Sequence, residues 1–214
     1  EALSKAEARG RLPAPKTATN GRRFYTVEDL IAIREKLGIK NMHVHKGPTI
    51  IPLNKDAFDV HDVDHAATDF QNLNFIIEHC GLPRLDDFCW IAVQETNVYG
   101  GMAVVMPFIH TRPRYFAQII GELLYWIGED KILFASDYAL WTPQWLVEKF
   151  VDFQIPEDMT EYAPITIEQK KKILGLNAAA LYPHIEVPEE LRLPTSAADP
   201  DAEVAAGAKD AVNA

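Results

Sequence analysis

The hydrophobic pattern of this chain alternates short, unbroken apolar runs with longer stretches of helical periodicity. One run, over residues 131–137, reads Lys-Ile-Leu-Phe-Ala-Ser-Asp and ends on the carboxylate of Asp137. Apolar runs without alternation are typical of strands buried on both faces of a parallel sheet. Similar runs end at His45 and His79, and we predict a further strand over residues 102–106. The pattern therefore predicts an α/β fold.

Helical periodicity is clearest in the stretch that follows Pro113, where apolar residues recur in steps of three and four: Phe116, Ile119, Ile120, Leu123, Leu124 and Ile127. We also predict helices over residues 26–37, 59–69, 84–95, 144–153 and 166–181. Their ends carry local signals. Thr26 and Thr142 are candidate N-caps, Gly38 is a C-terminal stop, and Thr166 with Gln169 forms a capping box.

The spacing of the strand ends indicates the architecture. The predicted strands end at His45, His79, near Pro107 and at Asp137, so the units repeat about every 30 residues, close to the roughly 31 of an eight-fold (β/α)8 TIM barrel. Only four units are present, which is half a barrel. Either the fold is smaller, or the first half is missing or supplied by another chain.

Composition and charge indicate which class of protein this is. The chain has 214 residues, 48% of them hydrophobic, and a net charge of −10, which argues against a nucleic-acid partner. It has no apolar run long enough for a membrane span and no signal-peptide pattern. Cys80 and Cys89 are too few for a disulfide framework, so we expect buried free thiols and a cytoplasmic location.

Three regions are predicted from these patterns. Residues 1–25 are a linker or frayed segment, residues 26–184 form the barrel-like unit, and residues 185–214 are an acidic, Ala-rich tail that we expect to be disordered. The sequence opens on Glu1 rather than Met, so we expect a processed product or a fragment.

The candidate chemistry lies at the strand ends. His43 and His45 share one face of a strand because residues two apart point the same way. The carboxyl ends of parallel barrel strands meet at one face of the barrel, so His79 and Asp137 would lie near this histidine pair. Imidazoles with a carboxylate suit zinc or manganese, which activates water. The alternatives are structural or surface histidines, and an Asp137 that caps a helix or forms a buried ion pair.

Several residues near these strand ends are candidate substrate ligands. His110, Arg112 and Arg114 follow the third predicted strand, and an arginine fork matches a carboxylate. The same arginines are equally compatible with a helix start or a subunit contact. Lys46 follows His45, and Trp141 either walls a pocket or belongs to the core.

The pair His61 and His65 has the i,i+4 spacing of a zinc-binding helix. Here Asp62 stands where that motif has its catalytic Glu, and the flanking residues are acidic. We therefore interpret this segment as a solvated helix face.

Four motifs resemble the amidohydrolase-related family, in the branch of aminocarboxymuconate-semialdehyde decarboxylase: His43-Val-His-Lys-Gly-Pro48, Glu78-His-Cys-Gly-Leu-Pro83, Phe134-Ala-Ser-Asp-Tyr138 and Lys172-Ile-Leu-Gly-Leu-Asn-Ala-Ala179. The resemblance covers about Thr26 to Tyr182. It implies a metal-dependent TIM barrel of which this chain holds strands five to eight. His45 would be a metal ligand, His79 would activate water or bind a second ion, and Asp137 would bind the metal and assist proton transfer.

The resemblance also has a gap, because the first strand of that family, which supplies further metal ligands, is absent here. His43 would then face the barrel interior one layer below His45. We predict that His43, Lys46, His110, Arg112 and Trp141 bind substrate, and that His79 and Asp137 are catalytic. An exposed half of a barrel needs covering, so we expect a chain supplying strands one to four, or self-association into an oligomer.

The resemblance implies a metal-dependent hydrolase acting on a small carboxylate- or carbonyl-bearing substrate. The alternative at the same site is a non-oxidative decarboxylase. An alternative of another class is a structural subunit without catalytic activity.

Overall fold

The computed structural model describes residues 16–19, 23–24, 27–47, 54–138 and 140–192. The short strands β1 (Lys16–Thr17) and β2 (Arg23–Phe24) form an antiparallel pair. The centre of the structure is a parallel sheet of four strands: β3 (Asn41–His45), β4 (Asn74–Glu78), β5 (Val98–Gly101) and β6 (Ile132–Leu133). These four strands lie side by side in that order. The sequential order of parallel strands is that of consecutive units of a TIM barrel, as predicted.

Helices connect and flank these strands. They are α1 (Val27–Leu37), α2 (His61–Asp69), α3 (Leu85–Gln94), α4 (Phe108–Thr111), α5 (Pro113–Trp126), α6 (Pro143–Asp152), α7 (Ile167–Lys171) and α8 (Asn177–Leu181). A π-helical segment, Lys172–Leu176, joins the last two, so the predicted closing helix over residues 166–181 contains one wide turn. Its predicted capping box, Thr166 with Gln169, is confirmed.

The two faces of the sheet have different surroundings. Phe75, Ile77, Val98 and Ile132 project from one face into the core, against the helices. The register pairs His43 with Ile76 and His45 with Glu78, which places these side chains on the other face. His43 and His45 are exposed there. This second face is the interior side of a barrel, and we call it the interior face.

The predicted strand over residues 102–106 is wrong. The strand is Val98–Gly101, and the chain turns after it and continues into α4. Two glycines hid this strand from the sequence. A Cβ on Gly100 would lie 3.1 Å from the Phe88 ring, and one on Gly101 would lie 2.5 Å from Glu78 Oε2. Close packing therefore requires glycine where a strand normally carries bulky side chains.

The strand predicted to end at Asp137 ends at Leu133 instead. It stops there because its neighbour β5 ends at Gly101, which pairs with Leu133. Beyond Leu133 the chain pairs with the closing helix instead: the Phe134 amide donates to the carbonyl of Ile173 at 2.9 Å. That carbonyl lies in the π-helical segment, where the regular i→i−4 bonding is interrupted.

Smaller predictions have mixed outcomes. Gly38 ends α1 in a left-handed conformation, with φ of 64°, and Cys80 and Cys89 are buried free thiols. Pro143 begins α6, but Thr142 makes no side-chain capping bond. The predictions for Thr26 and for most of the tail lie outside the described residues. Within the part that is described, no helix is both long and apolar enough to cross a membrane.

Candidate active site

His45 and His79 meet at the carboxyl ends of adjacent strands. His45 is the last residue of β3, and His79 follows directly after β4. Their rings meet edge to face, with centroids 4.6 Å apart and an interplanar angle of 79°. Gly47 makes this arrangement possible, because a Cβ on it would lie 2.6 Å from Cδ2 of His79. The structure therefore brings these two predicted metal ligands together.

The protonation pattern of His79 is set by a backbone carbonyl. Its Nδ1 lies 3.0 Å from the carbonyl oxygen of Ala103, which can only accept, so Nδ1 carries the hydrogen. In the neutral ring this leaves Nε2 with a lone pair, as a metal ligand or a general base requires. The side chain is 4% exposed, so packing also fixes its orientation.

Asp137 is the third predicted metal ligand. It follows β6 after a three-residue extension and is half-buried. Its backbone carbonyl accepts a hydrogen bond from the Leu140 amide at 3.0 Å. Among the described residues, no group of three or more His, Cys, Asp and Glu side chains is placed to hold a metal ion. This chain therefore does not by itself assemble Asp137 with His45 and His79.

Both predicted catalytic residues have a left-handed backbone. His79 has φ of 65° and Asp137 has φ of 55°, values that are uncommon for residues other than glycine. Cys80 and Val104, which also follow strands β4 and β5, share this conformation. Such backbone strain is concentrated at functional sites, so its clustering at these strand ends supports a site there.

His43 is held by two partners one layer below His45. Its Nδ1 lies 2.6 Å from Oε1 of Glu78, and its Nε2 lies 2.7 Å from the hydroxyl of Tyr182. Burial raises the pKa of the Tyr182 hydroxyl, and the Glu78 charge adds to that effect. Substrate binding by His43 stays a prediction, and both of its ring nitrogens already have partners.

Glu78 is a site residue that sequence reasoning missed. Its Oε1 pairs with His43, while its Oε2 is buried and has no hydrogen-bond partner among the described residues. Strict alternation from Phe75 and Ile77, whose apolar side chains enter the core, would have placed Glu78 on the interior face.

Lys46 is buried and paired. Its ammonium lies 2.6 Å from Oδ1 of Asp62, at the start of α2. The aliphatic stem is enclosed, since the side chain is only 5% exposed. Its role in substrate binding stays a prediction. The ion pair with Asp62 links the segment after β3 to α2.

The residues after β5 separate into different roles. His110 stacks on Trp145, with centroids 3.6 Å apart, and its Nε2 lies 3.2 Å from the Trp145 carbonyl. Arg114 forms two hydrogen bonds to Asp158, at 2.9 and 2.8 Å. Arg112 instead lies over the ring of Tyr115, 4.3 Å from its centroid. Of the two arginines, Arg112 is therefore the one without a carboxylate partner among the described residues.

Two other sequence candidates lie away from the strand ends. Trp141 is half-buried and packs against the hydrophobic core. This packing favours a core residue over a pocket wall, and substrate binding by Trp141 stays a prediction. His61 and His65 are exposed on α2, in agreement with the solvated face expected from the sequence.

The parallel sheet and the polar side chains at its carboxyl ends define the chain as part of a TIM-barrel protein. The chain belongs to the amidohydrolase family, because the model of that family matches residues 10–184. The predicted family and fold class are thereby confirmed.

One solved structure supports the fold, and a second is reported for its similarity. An uncharacterized TIM-barrel protein from Bordetella bronchiseptica matches with a TM-score of 0.58 and 18% identity, over 84% of this chain and 59% of that protein. The 2,6-dihydroxybenzoate decarboxylase from Rhizobium matches with a TM-score of 0.48 and 16% identity, over 80% of this chain and 61% of that enzyme. No curated protein sequence matches significantly. The chain thus spans about three fifths of the length of these structures.

Proposed function

We propose that this chain supplies one half of the barrel of a metal-dependent hydrolase, whose metal ion is bound in part by His45, His79 and Asp137. The observation that carries the proposal is the contact between the His45 and His79 rings, 4.6 Å apart at two adjacent strand ends. Family membership supports it, since the family model covers most of the chain.

The donor set fits a divalent ion such as zinc or manganese. Two imidazoles and one carboxylate are the ligand types of catalytic zinc sites, which keep a position open for water or substrate. The Ala103 carbonyl fixes the His79 tautomer that leaves Nε2 free to bind. Two of the three donors lie together, and Asp137 and the remaining ligands would be brought in when the barrel is complete.

Each residue has a proposed role. A bound divalent ion would polarise the carbonyl of a small substrate and lower the pKa of the attacking water. His45 would hold the ion. Asp137 would bind the ion through one oxygen. The proton of the attacking water would go to one acceptor and from there to the leaving group: to the other oxygen of Asp137 where His79 Nε2 binds the ion, or to His79 Nε2 where that nitrogen does not bind it. Because the interior face is open in this chain, water exclusion would depend on the other half of the barrel.

Completion by further polypeptide is part of the proposal. The interior face exposes His43 and His45, and β3 and β6 are edge strands among the described residues. Unpaired edges of a sheet invite association. We therefore infer that strands one to four come from a partner chain or from further sequence of the same protein, or that a second copy of this half completes the barrel by self-association.

The test is metal binding by equilibrium dialysis with zinc and with manganese, on the assembled protein. We expect His45→Ala and Asp137→Ala to lose bound metal, whereas His65→Ala, an exposed histidine on α2, retains it. If all three variants hold as much metal as the unmodified protein, the proposed ligands are wrong.

The product distinguishes hydrolysis from decarboxylation, which is the alternative at the same site. Turnover in ¹⁸O-labelled water should place the label in the product of a hydrolase. Release of CO₂ without label incorporation would replace the hydrolase by a carboxy-lyase. If His45→Ala and Asp137→Ala leave every function of the assembly intact, the chain is a structural subunit.

A further inference from the structure

A cavity lies beside the candidate active site and is lined by residues that follow the carboxyl ends of β3, β4 and β5. It encloses about 420 Å³, within the range of small-molecule sites. Its walls are mostly apolar and include Leu82, Pro83, Phe108 and Tyr115. The first two follow β4, and the other two lie in the helices α4 and α5 that follow β5, so the segments after these two strands form much of the cavity.

Two residues of the cavity lining adjoin His79 or its hydrogen-bond partner. Gly47 lies against the His79 ring and lines the cavity. Val104 also lines it, one residue after the Ala103 carbonyl that binds His79 Nδ1. Val104 has φ of 64°, a costly conformation for a β-branched residue, so the surrounding structure must enforce the shape of this wall.

Of the two arginines that line the cavity, Arg112 is the one positioned to bind an anion. Arg112 lies over the Tyr115 ring at 4.3 Å and near the Phe108 ring at 5.9 Å, which orients its planar guanidinium. Arg84, also in the lining, lies 3.6 Å from carboxylate oxygens of both Asp59 and Asp87. No such partner of Arg112 occurs in the part of the chain that the structure describes, so its donors remain available to a ligand.

We propose that this cavity binds the non-reacting part of the substrate, an apolar body bearing a carboxylate that Arg112 holds at a distance from the reacting bond. The inference rests on the proposed function, since it assumes that chemistry occurs at His79. The apolar walls account for the body of the ligand, and the guanidinium accounts for its charge. A fork of donors matches a carboxylate in two parallel hydrogen bonds.

The experiment is a titration of metal-free protein with benzoate and with benzamide, followed by ligand-observed NMR and calorimetry. The two probes have similar shapes, but only benzoate is charged. We expect benzoate to bind about 10-fold or more tightly than benzamide, the ratio expected for one charge-assisted interaction. Arg112→Gln should reduce benzoate affinity to that of benzamide, and Arg112→Lys should have an intermediate effect.

The matched control is Arg114→Gln. It removes an arginine two residues away, in the first turn of α5, that already pairs with Asp158, and we expect benzoate binding to be unchanged. Equal affinity for both probes, equal losses in the two glutamine variants, or no binding of either probe would overturn the proposal. Both arginines are exposed, and thermal unfolding should confirm that each variant folds.

Working without metal separates this inference from the proposed function. If benzoate binds as expected but zinc binding does not depend on His45, the cavity is a ligand site and the metal proposal fails. If zinc binding depends on His45 while Arg112→Gln does not affect benzoate, the reverse holds.

Discussion

Asn177 holds the start of β6 in place by donating a hydrogen bond to the carbonyl of Ile132, at 2.8 Å. The same amide donates to the Glu129 carbonyl at 2.6 Å. Asn177 lies in the closing helix, 45 residues after its strand partner. The Asn-Ala-Ala motif that resembles the family therefore has a structural role, since it positions the strand that leads to Asp137.

We expect Asn177→Ala to lower the free energy of unfolding by about 1–3 kcal/mol, because a buried carbonyl and a partly buried one lose their donor. Denaturant unfolding measures the change. Gln144→Ala is the control, since that exposed amide donates to the exposed Glu148 side chain, and it should change stability by less than about 0.5 kcal/mol. Equal effects of the two variants would contradict the role given to Asn177.

Gly101→Ala tests the close packing of the interior face. The new Cβ would lie 2.5 Å from Glu78 Oε2, so the carboxylate must move and its hydrogen bond to His43 is disturbed. We expect a loss of about 1–3 kcal/mol by denaturant unfolding, as for other overpacked sites.

The matched control for that substitution is Gly175→Ala, in the closing helix, where a Cβ would meet nothing within 4 Å. It should be neutral or stabilising by up to about 1 kcal/mol, because alanine favours helix. In the double variant Gly101→Ala with Glu78→Ala, the penalty of the alanine at 101 should shrink. If the penalty is the same with and without Glu78, the predicted clash does not occur.

The two cysteines should resist thiol reagents in the folded protein. Burial raises the pKa of Cys89 to about 12 and raises that of Cys80 as well. Only the thiolate reacts, and its fraction is negligible below the raised pKa. We expect no labelling by iodoacetamide between pH 7 and about pH 9 until denaturant is added, when mass spectrometry should show two labels. Rapid labelling of native protein would contradict this burial.

The sequence predicted the parts of the site that depend on local pattern. His45 and His79 end apolar runs, and the repeat of such runs indicated parallel units of a barrel. The helix α5 was equally clear, because its apolar residues follow a regular helical period. These predictions required only the spacing of residues close in sequence.

What the sequence did not reveal depends on contacts between distant segments. β5 was missed because the Phe88 ring and the Glu78 carboxylate leave room only for Gly100 and Gly101. The role of Glu78 depends on its partner His43, whose other nitrogen meets Tyr182, 139 residues further on. No local pattern encodes such a contact.

Native mass spectrometry of the protein purified from its source, with metal analysis of the same sample, tests the central claim most directly. We expect the chain to occur together with the polypeptide that supplies the remaining barrel strands, and the assembly to carry zinc or manganese. A chain that is isolated alone and free of metal, from material in which known metalloenzymes keep theirs, would contradict the account.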